Sequence, residues 1–182
     1  MNLHIPQTEE ARAEAQILIS VEENILSPRF GGPIIGGIHD HVSGIFMLTH
    51  GPRQFTKEEV LYLIRFTNVE HLPPSLKSEA GEFWSNKQVF SQILPPDLNM
   101  GFHASSCQNC QTCKKELCER DAYVRIFDGK LESGTIDKKA IGAFDGQIVN
   151  RIIRQYGMRR AAEFIDDLTK LSIRAIMLDG FS

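Results

Sequence analysis

Apolar residues recur at helical spacing in two stretches near the C-terminal end of the chain. The first stretch follows Asp145 and stops at Gly157, and the second, longer stretch stops at Gly180. The apolar positions are Ile148, Val149, Ile152, Ile153 and Tyr156 in the first, and Phe164, Ile165, Leu168, Leu171, Ala175, Ile176 and Leu178 in the second. Because a period of about 3.6 residues places such positions on one face, the pattern predicts two amphipathic helices that form a helical hairpin.

Polar residues mark the starts of earlier helices. Thr8 precedes an Ala-rich run and is suited to accept a hydrogen bond as an N-cap, which predicts a helix over residues 8–20. Apolar residues at near-helical spacing predict a second helix over residues 40–48, and Gly51-Pro52 ends it.

Two further helix starts carry a capping box, in which a Ser or Thr is followed three residues later by Glu or Gln. Thr56 with Glu59 is the first, and Ser85 with Gln88 is the second. Each pair stands directly before a set of apolar residues, so each predicts the first turn of an amphipathic helix.

The hydrophobic period changes after Asp121. Two extended runs flank Asp128-Gly129, the dipeptide that favours a type I′ turn, and this predicts a β-hairpin. The predicted class is therefore α+β. A mixed domain of small sheets and helices spans residues 1–143, with a Cys-rich insert at 103–121, and the C-terminal helical hairpin spans 144–182.

Composition and charge narrow the function classes. Hydrophobic residues make up 42% and charged residues 24% of the chain, which is typical of a folded globular protein. The 20 Lys and Arg against 23 Asp and Glu give a net charge of -3, without the basic excess of a free-standing nucleic-acid-binding domain. A local basic patch remains, formed by Arg151, Arg154, Arg159 and Arg160. No apolar run is long enough to span a bilayer, so we expect a cytoplasmic protein without membrane contact.

All four cysteines fall in one short window with the spacing C-x2-C-x2-C-x4-C. They are Cys107, Cys110, Cys113 and Cys118. Four thiolates at this spacing suit a tetrahedral structural zinc site. An iron–sulfur cluster is the runner-up, although the ferredoxin pattern has a gap of three residues and then Cys-Pro, and a loop without metal is the third alternative. His103 is a reserve ligand.

Four segments, taken in order, resemble the largest subunit of the multisubunit cellular RNA polymerases. They are MNLHIPQ at residues 1–7, NILSP at 24–28, the D-x3-G-x3-L-T run at 40–49 and LDGFS at 178–182. The Cys-rich insert resembles the archaeal branch. The resemblance implies that the chain covers the pore domain and the start of the funnel of that subunit.

The resemblance also implies that the chain begins just after the loop whose aspartates bind the catalytic Mg²⁺ and stops at the next domain. None of those aspartates is present, so no catalytic residue is assigned and the isolated chain is expected to be inactive, with Mg²⁺ bound only by the intact enzyme. Asn2 and His4 would lie near the active centre as positioning residues. His39 and Asp40 would border the channel for nucleotides, but we interpret Asp40 first as a helix cap.

Implied partners are the other polymerase subunits, with template DNA, RNA and nucleoside triphosphates nearby and a transcript-cleavage factor in the funnel. The implied role is architectural: the segment forms the wall of the secondary channel and supports the Mg²⁺ loop. The alternative is an independent zinc-stabilised binding module. Both ends of the chain look cut from a longer protein, and we take this as an argument against that alternative. The apolar positions of the last helix include both Phe164, Leu168 and Leu171 and also Ile165 and Ile176, which is wider than one stripe. This width predicts exposed apolar side chains on that helix and self-association through it.

Overall fold

The computed structural model describes residues 2–78, 81–107, 118–144 and 146–181 of the 182-residue chain. In these ranges the helices are α1 (Glu9–Ala13), which continues as a π-helical segment (Glu14–Leu18), a 3-10 turn (Glu22–Asn24), α2 (Asp40–Thr49), α3 (Lys57–Ile64), α4 (Asn86–Ser91), α5 (Lys138–Ile141) and α6 (Gln147–Asp179). The strands are β1 (Gln54–Phe55), β2 (Leu76–Ser78), β3 (Gly81–Ser85), β4 (Met100–His103), β5 (Tyr123–Phe127) and β6 (Lys130–Ser133). The mixed class of helices and small antiparallel sheets is confirmed, whereas most of the Cys-rich insert lies outside the described residues.

Both predicted capping boxes are present. Glu59 N donates to Thr56 Oγ1 at 3.3 Å, and Thr56 N donates back to the Glu59 carboxylate at 2.8 Å. Ser85 and Gln88 make the same reciprocal pair at the start of α4. Each box satisfies backbone N–H groups that would lack a partner in the first turn, so α3 and α4 begin where the sequence predicted.

The predicted β-hairpin is also confirmed, and it belongs to a three-stranded sheet with the order β4-β5-β6. Asp128 and Gly129 both have positive φ, 45° and 67°, as a type I′ turn requires. A second sheet, with the order β1-β3-β2, was not predicted. Its strands are two, three and five residues long, too short for alternation to stand out from the flanking loops.

The core forms where α2 packs along α6, and α4 connects this helix pair to the β4-β5-β6 sheet through its contacts with α2 and β6. Phe164, Leu168 and Leu171 are fully buried there, and Ile165 and Ile176 are half-buried, so neither predicted set is the exposed one. The prediction that α6 carries exposed apolar side chains is nevertheless confirmed. The two sets are covered because α6 packs against α2, α3 and α5. The exposed apolar residues of α6 are instead Ile173 and Met177.

The C-terminal helical element is interrupted at one residue. Gly157 has φ 85° and ψ 174°, a conformation that only glycine adopts readily. The predicted break at Gly157 is confirmed, and the hairpin arrangement of the two parts stays a prediction. No helix within the described ranges is both long and apolar enough to cross a membrane.

Residues 2–24 are largely exposed, although they include many apolar side chains. The exposed large apolar residues there are Leu3, Ile5, Ile17, Leu18, Ile19 and Val21. The predicted start of the first helix is confirmed, since Ala11 N donates to Thr8 Oγ1 at 3.2 Å. Exposed apolar residues in this number are unusual for so short a stretch of a folded domain.

Asp167 on α6 is a buried carboxylate with a structural role. Its Oδ1 accepts a hydrogen bond from Asn68 N at 2.9 Å, and only 2% of the residue is exposed. Burial raises the pKa of Asp167 above its ordinary value. The favourable contribution of the protonated form is therefore complete below the unfolded-state pKa of about 4 and is lost as the pH rises through the raised folded-state pKa.

We expect Asp167→Asn, which keeps an oxygen acceptor for Asn68 N, to be more stable than the wild type at pH 7 and equal to it near pH 4. Each unit by which the pKa of Asp167 is raised corresponds to about 1.4 kcal/mol in the free energy of unfolding at pH 7. Urea denaturation between pH 4 and 8 measures the difference, with exposed Asp166→Asn as the control for the lost charge. A difference that does not change with pH would contradict this role for Asp167.

Candidate functional site

The D-x3-G-x3-L-T segment forms helix α2, and three of its four spaced residues, Gly44, Leu48 and Thr49, are buried against the rest of the fold. Leu48 is 1% exposed, and a Cβ on Gly44 would lie 2.5 Å from Ser172 O of α6. Thr49 Oγ1 donates to Ile45 O at 2.8 Å. It also accepts from Ile136 N at 3.0 Å, which ties α2 to the segment after β6. These residues therefore fix the position of the helix that carries His39 and Asp40 at its start.

His39 and Asp40 are both exposed. His39 has φ 44° and ψ −113°, occupies the N-cap position and makes no side-chain cap. The prediction that Asp40 caps the helix is wrong: the helix starts one residue earlier than that role requires, and Asp40 is its first helical residue. At that position its negative charge interacts favourably with the positive end of the helix dipole. Their place in a channel stays a prediction.

A backbone contact holds the approach to His39. Gly37 N donates to Ile141 O at 2.7 Å, in a parallel bridge between Gly37 and Gly142 after α5. Asn2 and His4 lie in the exposed N-terminal stretch, and their place near an active centre also stays a prediction.

The NILSP segment joins the N-terminal stretch to the core. The Asn24 amide donates to Leu18 O and to Ser20 O, both at 2.8 Å, and so satisfies carbonyls at the end of the first helix. Ile25 is 1% exposed, and its carbonyl accepts from Ile34 N at 2.8 Å. The segment is thus a structural junction.

The LDGFS segment closes α6 and fastens it. Asp179 accepts two hydrogen bonds from the Arg53 guanidinium, each 2.7 Å long, and this hydrogen bonding raises the pKa of Arg53. Gly180 has φ 66°, and Phe181 N donates to Ile176 O at 3.2 Å, as in a left-handed helix cap. The end of α6 is therefore held against the loop before β1.

The two ends of the Cys-rich insert lie side by side. His103 pairs with Tyr123 at the ends of β4 and β5, and Ala104 N donates to Ala122 O at 2.9 Å. The chain thus leaves and re-enters the fold through one narrow neck, residues 103–107 and 118–122. The neck therefore fixes the positions of the first and last cysteines of the insert.

Two aspartates fasten the neck, and sequence reasoning did not assign either. Asp121 accepts from Gly134 N at 2.8 Å and pairs with Lys87 Nζ at 2.8 Å. Asp137 accepts from Ser105 N and also caps α5. The Asp before Lys138-Lys139 signals a helix cap in the sequence, but the contact to Ser105 is non-local and leaves no such signal.

The structure places one predicted ligand, Cys107, next to the reserve ligand, His103. Cys107 Sγ lies 3.4 Å from His103 Nδ1, and Cys118 is half-buried at the other side of the neck. Two ligands of one tetrahedral zinc ion, with bonds of about 2.3 and 2.1 Å, lie about 3.6 Å apart, so a thiolate and imidazole at this distance fit. Cys110 and Cys113 lie outside the described residues. Within the described ranges no group of three or more His, Cys, Asp or Glu comes together as a metal site.

We expect Thr49→Val to lower the free energy of unfolding by about 1–3 kcal/mol, because it keeps the shape but leaves the buried Ile136 N–H without an acceptor. Thr49→Ser is the control, since it keeps the hydroxyl and removes one methyl, at a cost of about 1 kcal/mol. Urea denaturation compares them. A Val variant at least as stable as the Ser variant would show that the hydroxyl has no such role.

Comparison with known proteins gives consistent results along the whole chain. The family described as RNA polymerase Rpb1, domain 3, matches residues 24–182. DNA-directed RNA polymerase subunit Rpo1N of Methanothermobacter thermautotrophicus (strain Delta H) is 50% identical over 182 residues, which cover 100% of this chain and 20% of that protein. The proteins of the same name from Methanocaldococcus jannaschii and Thermoplasma acidophilum are 48% and 44% identical over the whole chain, which spans 14% and 21% of their lengths.

These relatives confirm the resemblance to the largest subunit of the archaeal polymerases, and the chain spans about a fifth or less of their length. The matched range includes three of the four segments that carried the resemblance, namely those at 24–28, 40–49 and 178–182. The chain therefore belongs to the RNA polymerase Rpb1, domain 3 family.

Proposed function

We propose that this chain is the segment of the largest subunit of a DNA-directed RNA polymerase that forms part of the secondary-channel wall and supports the neighbouring Mg²⁺ loop. The observation that carries the proposal is 50% identity to an Rpo1N subunit along the whole chain. This similarity favours the polymerase segment over an independent zinc-stabilised module. In this assignment residues 1–143 form the pore domain and residues 144–182 begin the funnel.

The exposed apolar N-terminal stretch supports the same assignment. Ile17, Leu18 and Val21 are 63–65% exposed, which a free-standing domain has no reason to maintain. Other parts of the polymerase, its remaining subunits included, would cover these residues. Asn2 and His4 would then support the active centre, and His39 and Asp40 would face the channel.

The other proposed partners follow from that place in the enzyme. Template DNA, the RNA product and incoming nucleoside triphosphates would lie nearby, and a transcript-cleavage factor would enter through the funnel. Mg²⁺ would be bound by the intact enzyme only, so the 182-residue chain alone would have no nucleotidyl transfer activity.

Replacing the corresponding segment of the Methanothermobacter largest subunit with this chain tests the proposal. The chimeric subunit should assemble with the other subunits and support template-directed RNA synthesis, whereas a subunit lacking the segment should not. Ile17→Asp with Leu18→Asp should block assembly, and Gln16→Asp on the same exposed helix is the control for the added charge. Assembly and synthesis without the segment would contradict the proposal.

A structural metal ion at the neck of the insert is a second proposal. Cys107, Cys110, Cys113 and Cys118 would hold zinc, with His103 close enough to replace one of them. Bound zinc would supply ligation that orders the insert and would take no part in catalysis. The iron–sulfur cluster remains the competing occupant, and the two are distinguished by elemental analysis.

A further inference from the structure

A surface patch where α3 meets α6 exposes apolar and aromatic side chains together. Arg174 of α6 reaches across to α3, and its Cζ lies 5.1 Å from the centroid of the Tyr62 ring and 4.3 Å from that of Phe66. Ile173 precedes Arg174, and Met177 lies one helical turn after it. Phe66, Ile173 and Met177 are 44–60% exposed. The surface that we call the α3–α6 patch consists of Tyr62, Arg65, Phe66, Ile173, Arg174 and Met177.

The two guanidinium groups of the patch have no carboxylate partner within the described part of the chain. Arg65 Cζ lies 5.3 Å from the centroid of the Phe66 ring, so Arg65 and Arg174 both stack on that ring. Arg174 Nη1 also donates to the Tyr62 hydroxyl at 3.3 Å. These contacts hold the guanidinium groups at the surface and leave N–H donors available to a carboxylate.

The side chains of the patch fit a polypeptide better than a small anion. A small anion would contact the guanidinium groups only and leave the apolar side chains in water. Tyr, Phe, Met and Arg are among the residue types enriched at protein–protein interfaces. Glu58 and Glu70 line the recess that adjoins the patch along α3, so a partner's carboxylates are attracted only to the two arginines. The patch therefore fits a polypeptide that carries carboxylates beside apolar side chains.

The N-terminal stretch, residues 8–23, has this complementary chemistry. It carries five glutamates and one arginine, and that arginine, Arg12, lies 3.7 Å from Glu9. Ile17 and Leu18 belong to its π-helical segment, and both are exposed. Such π-helical turns are rare and occur frequently at functional sites. Acidic and apolar side chains thus lie together in a stretch whose residues 8–19 are all exposed.

We propose that the N-terminal stretch of one copy of this chain docks on the α3–α6 patch of a second copy. Its glutamates pair with Arg65 and Arg174, while Ile17 and Leu18 pack against the exposed ring and Met177 of the patch. Both surfaces are exposed within one molecule, so the contact forms between copies. Reciprocal docking closes two copies into a dimer, and one-way docking adds copies into an open chain. Assembly into the polymerase of the proposed function would cover the N-terminal stretch and compete with this contact.

Sedimentation velocity of the whole 182-residue chain over a concentration series, at low and high KCl, tests the proposal. We expect reversible association that weakens at high KCl, because salt screens the attraction between glutamates and arginines. Arg65→Gln with Arg174→Gln should raise the Kd roughly 2- to 30-fold, the range for two exposed ion pairs. Arg29→Gln with Arg159→Gln is the control, since it removes the same charge from exposed side chains elsewhere and should have a smaller effect.

Ile17→Ser with Leu18→Ser should raise the Kd about tenfold or more, because the apolar contact is lost. Gln16→Ser on the same exposed helix is the control. A mixture tests the pairing of the two surfaces. The Ile17→Ser, Leu18→Ser variant keeps an intact patch, and a variant that adds Met177→Ser to the two arginine substitutions keeps an intact N-terminal stretch. The two variants together should associate at concentrations where neither does so alone.

Circular dichroism and urea denaturation check that all variants stay folded. A wild type that is monomeric at every concentration, equal losses in the arginine control, or a mixture that behaves as its separate components would each overturn the proposal. If the chain stays monomeric but the chimeric polymerase assembles, only the contact between copies is rejected. If the copies associate as expected but the chimera does not assemble, the proposed function fails instead.

Discussion

Cys110→Ser is expected to abolish stoichiometric metal binding and to unfold the insert between Cys107 and Cys118, while α6 stays folded. The insert is polar and has few apolar side chains to bury. Ordering its backbone costs about 1–2 kcal/mol per residue, which burial there does not offset. Structural zinc supplies about 10–16 kcal/mol in small zinc-binding peptides at pH 7, enough to order a loop of this length. The core between α2 and α6 has its own apolar contacts and needs no metal.

Elemental analysis of the wild type should give one zinc per chain at neutral pH, with release as acid protonates the thiolates. Hydrogen exchange then compares Cys110→Ser with Gln111→Ser, a control in the same loop that removes no thiolate. His103→Ala shows whether the imidazole is a ligand, since a ligand's loss lowers zinc affinity and a mere neighbour's loss does not. A brown protein with iron and sulfide would replace zinc by the iron–sulfur cluster. Metal-free protein with slowly exchanging insert amides would reject both.

Rules that act over a few residues predicted the starts of α1, α3 and α4 and the hairpin correctly, although the cap of α2 was assigned to the wrong residue. Thr56 with Glu59, and Asp128 with Gly129, each determine a local geometry whatever the rest of the chain does. The contacts that fasten the neck were missed for the opposite reason. Asp121 bonds to Gly134, and Asp137 bonds to Ser105, across distances in sequence that no local pattern marks.

The sequence predicted exposed apolar residues on α6 but did not identify which ones, and the limit is the same. A helix whose apolar positions cover more than one stripe has two possible explanations, an external partner or a second element of its own fold. Phe164 and Leu168 are buried, and only the fold shows which elements of the chain pack against α6. Further exposed apolar side chains lie at residues 3–21, where the sequence predicted only an Ala-rich helix capped by Thr8.

The residues that carried the resemblance to the polymerase subunit have structural tasks in this fold. Asn24 ends the first helix, Thr49 joins α2 to the segment after β6, and Gly180 closes α6. Such tasks tolerate few residue types, which explains why short segments were enough to indicate the family. The proposed function instead depends on exposed residues such as His39 and Asp40.

Gly44→Val is expected to destabilise the fold by about 3 kcal/mol or more, and Gly44→Ala by about 2 kcal/mol. In an ordinary helix interior, Gly→Ala is favourable by about 1 kcal/mol, so the expected sign is reversed here. A Cβ at Gly44 would lie 2.5 Å from Ser172 O and 3.0 Å from Ile176 Cγ1. The oxygen belongs to the backbone and cannot rotate away. The added atoms therefore overpack the contact and force α2 and α6 apart, which loosens the packing around Ile45 and lowers the free energy of unfolding.

Urea denaturation of the graded series measures the effect, with Ser43→Ala and Ser43→Val as controls at the preceding, half-buried position of α2. Those controls change helix propensity without meeting the α6 backbone. Ile176→Ala in the Gly44→Ala background should restore little stability, since it relieves the side-chain contact at 3.0 Å and leaves the backbone contact with Ser172 in place. A Gly44→Val variant that unfolds at the same urea concentration as the wild type would mean that the two helices do not approach this closely.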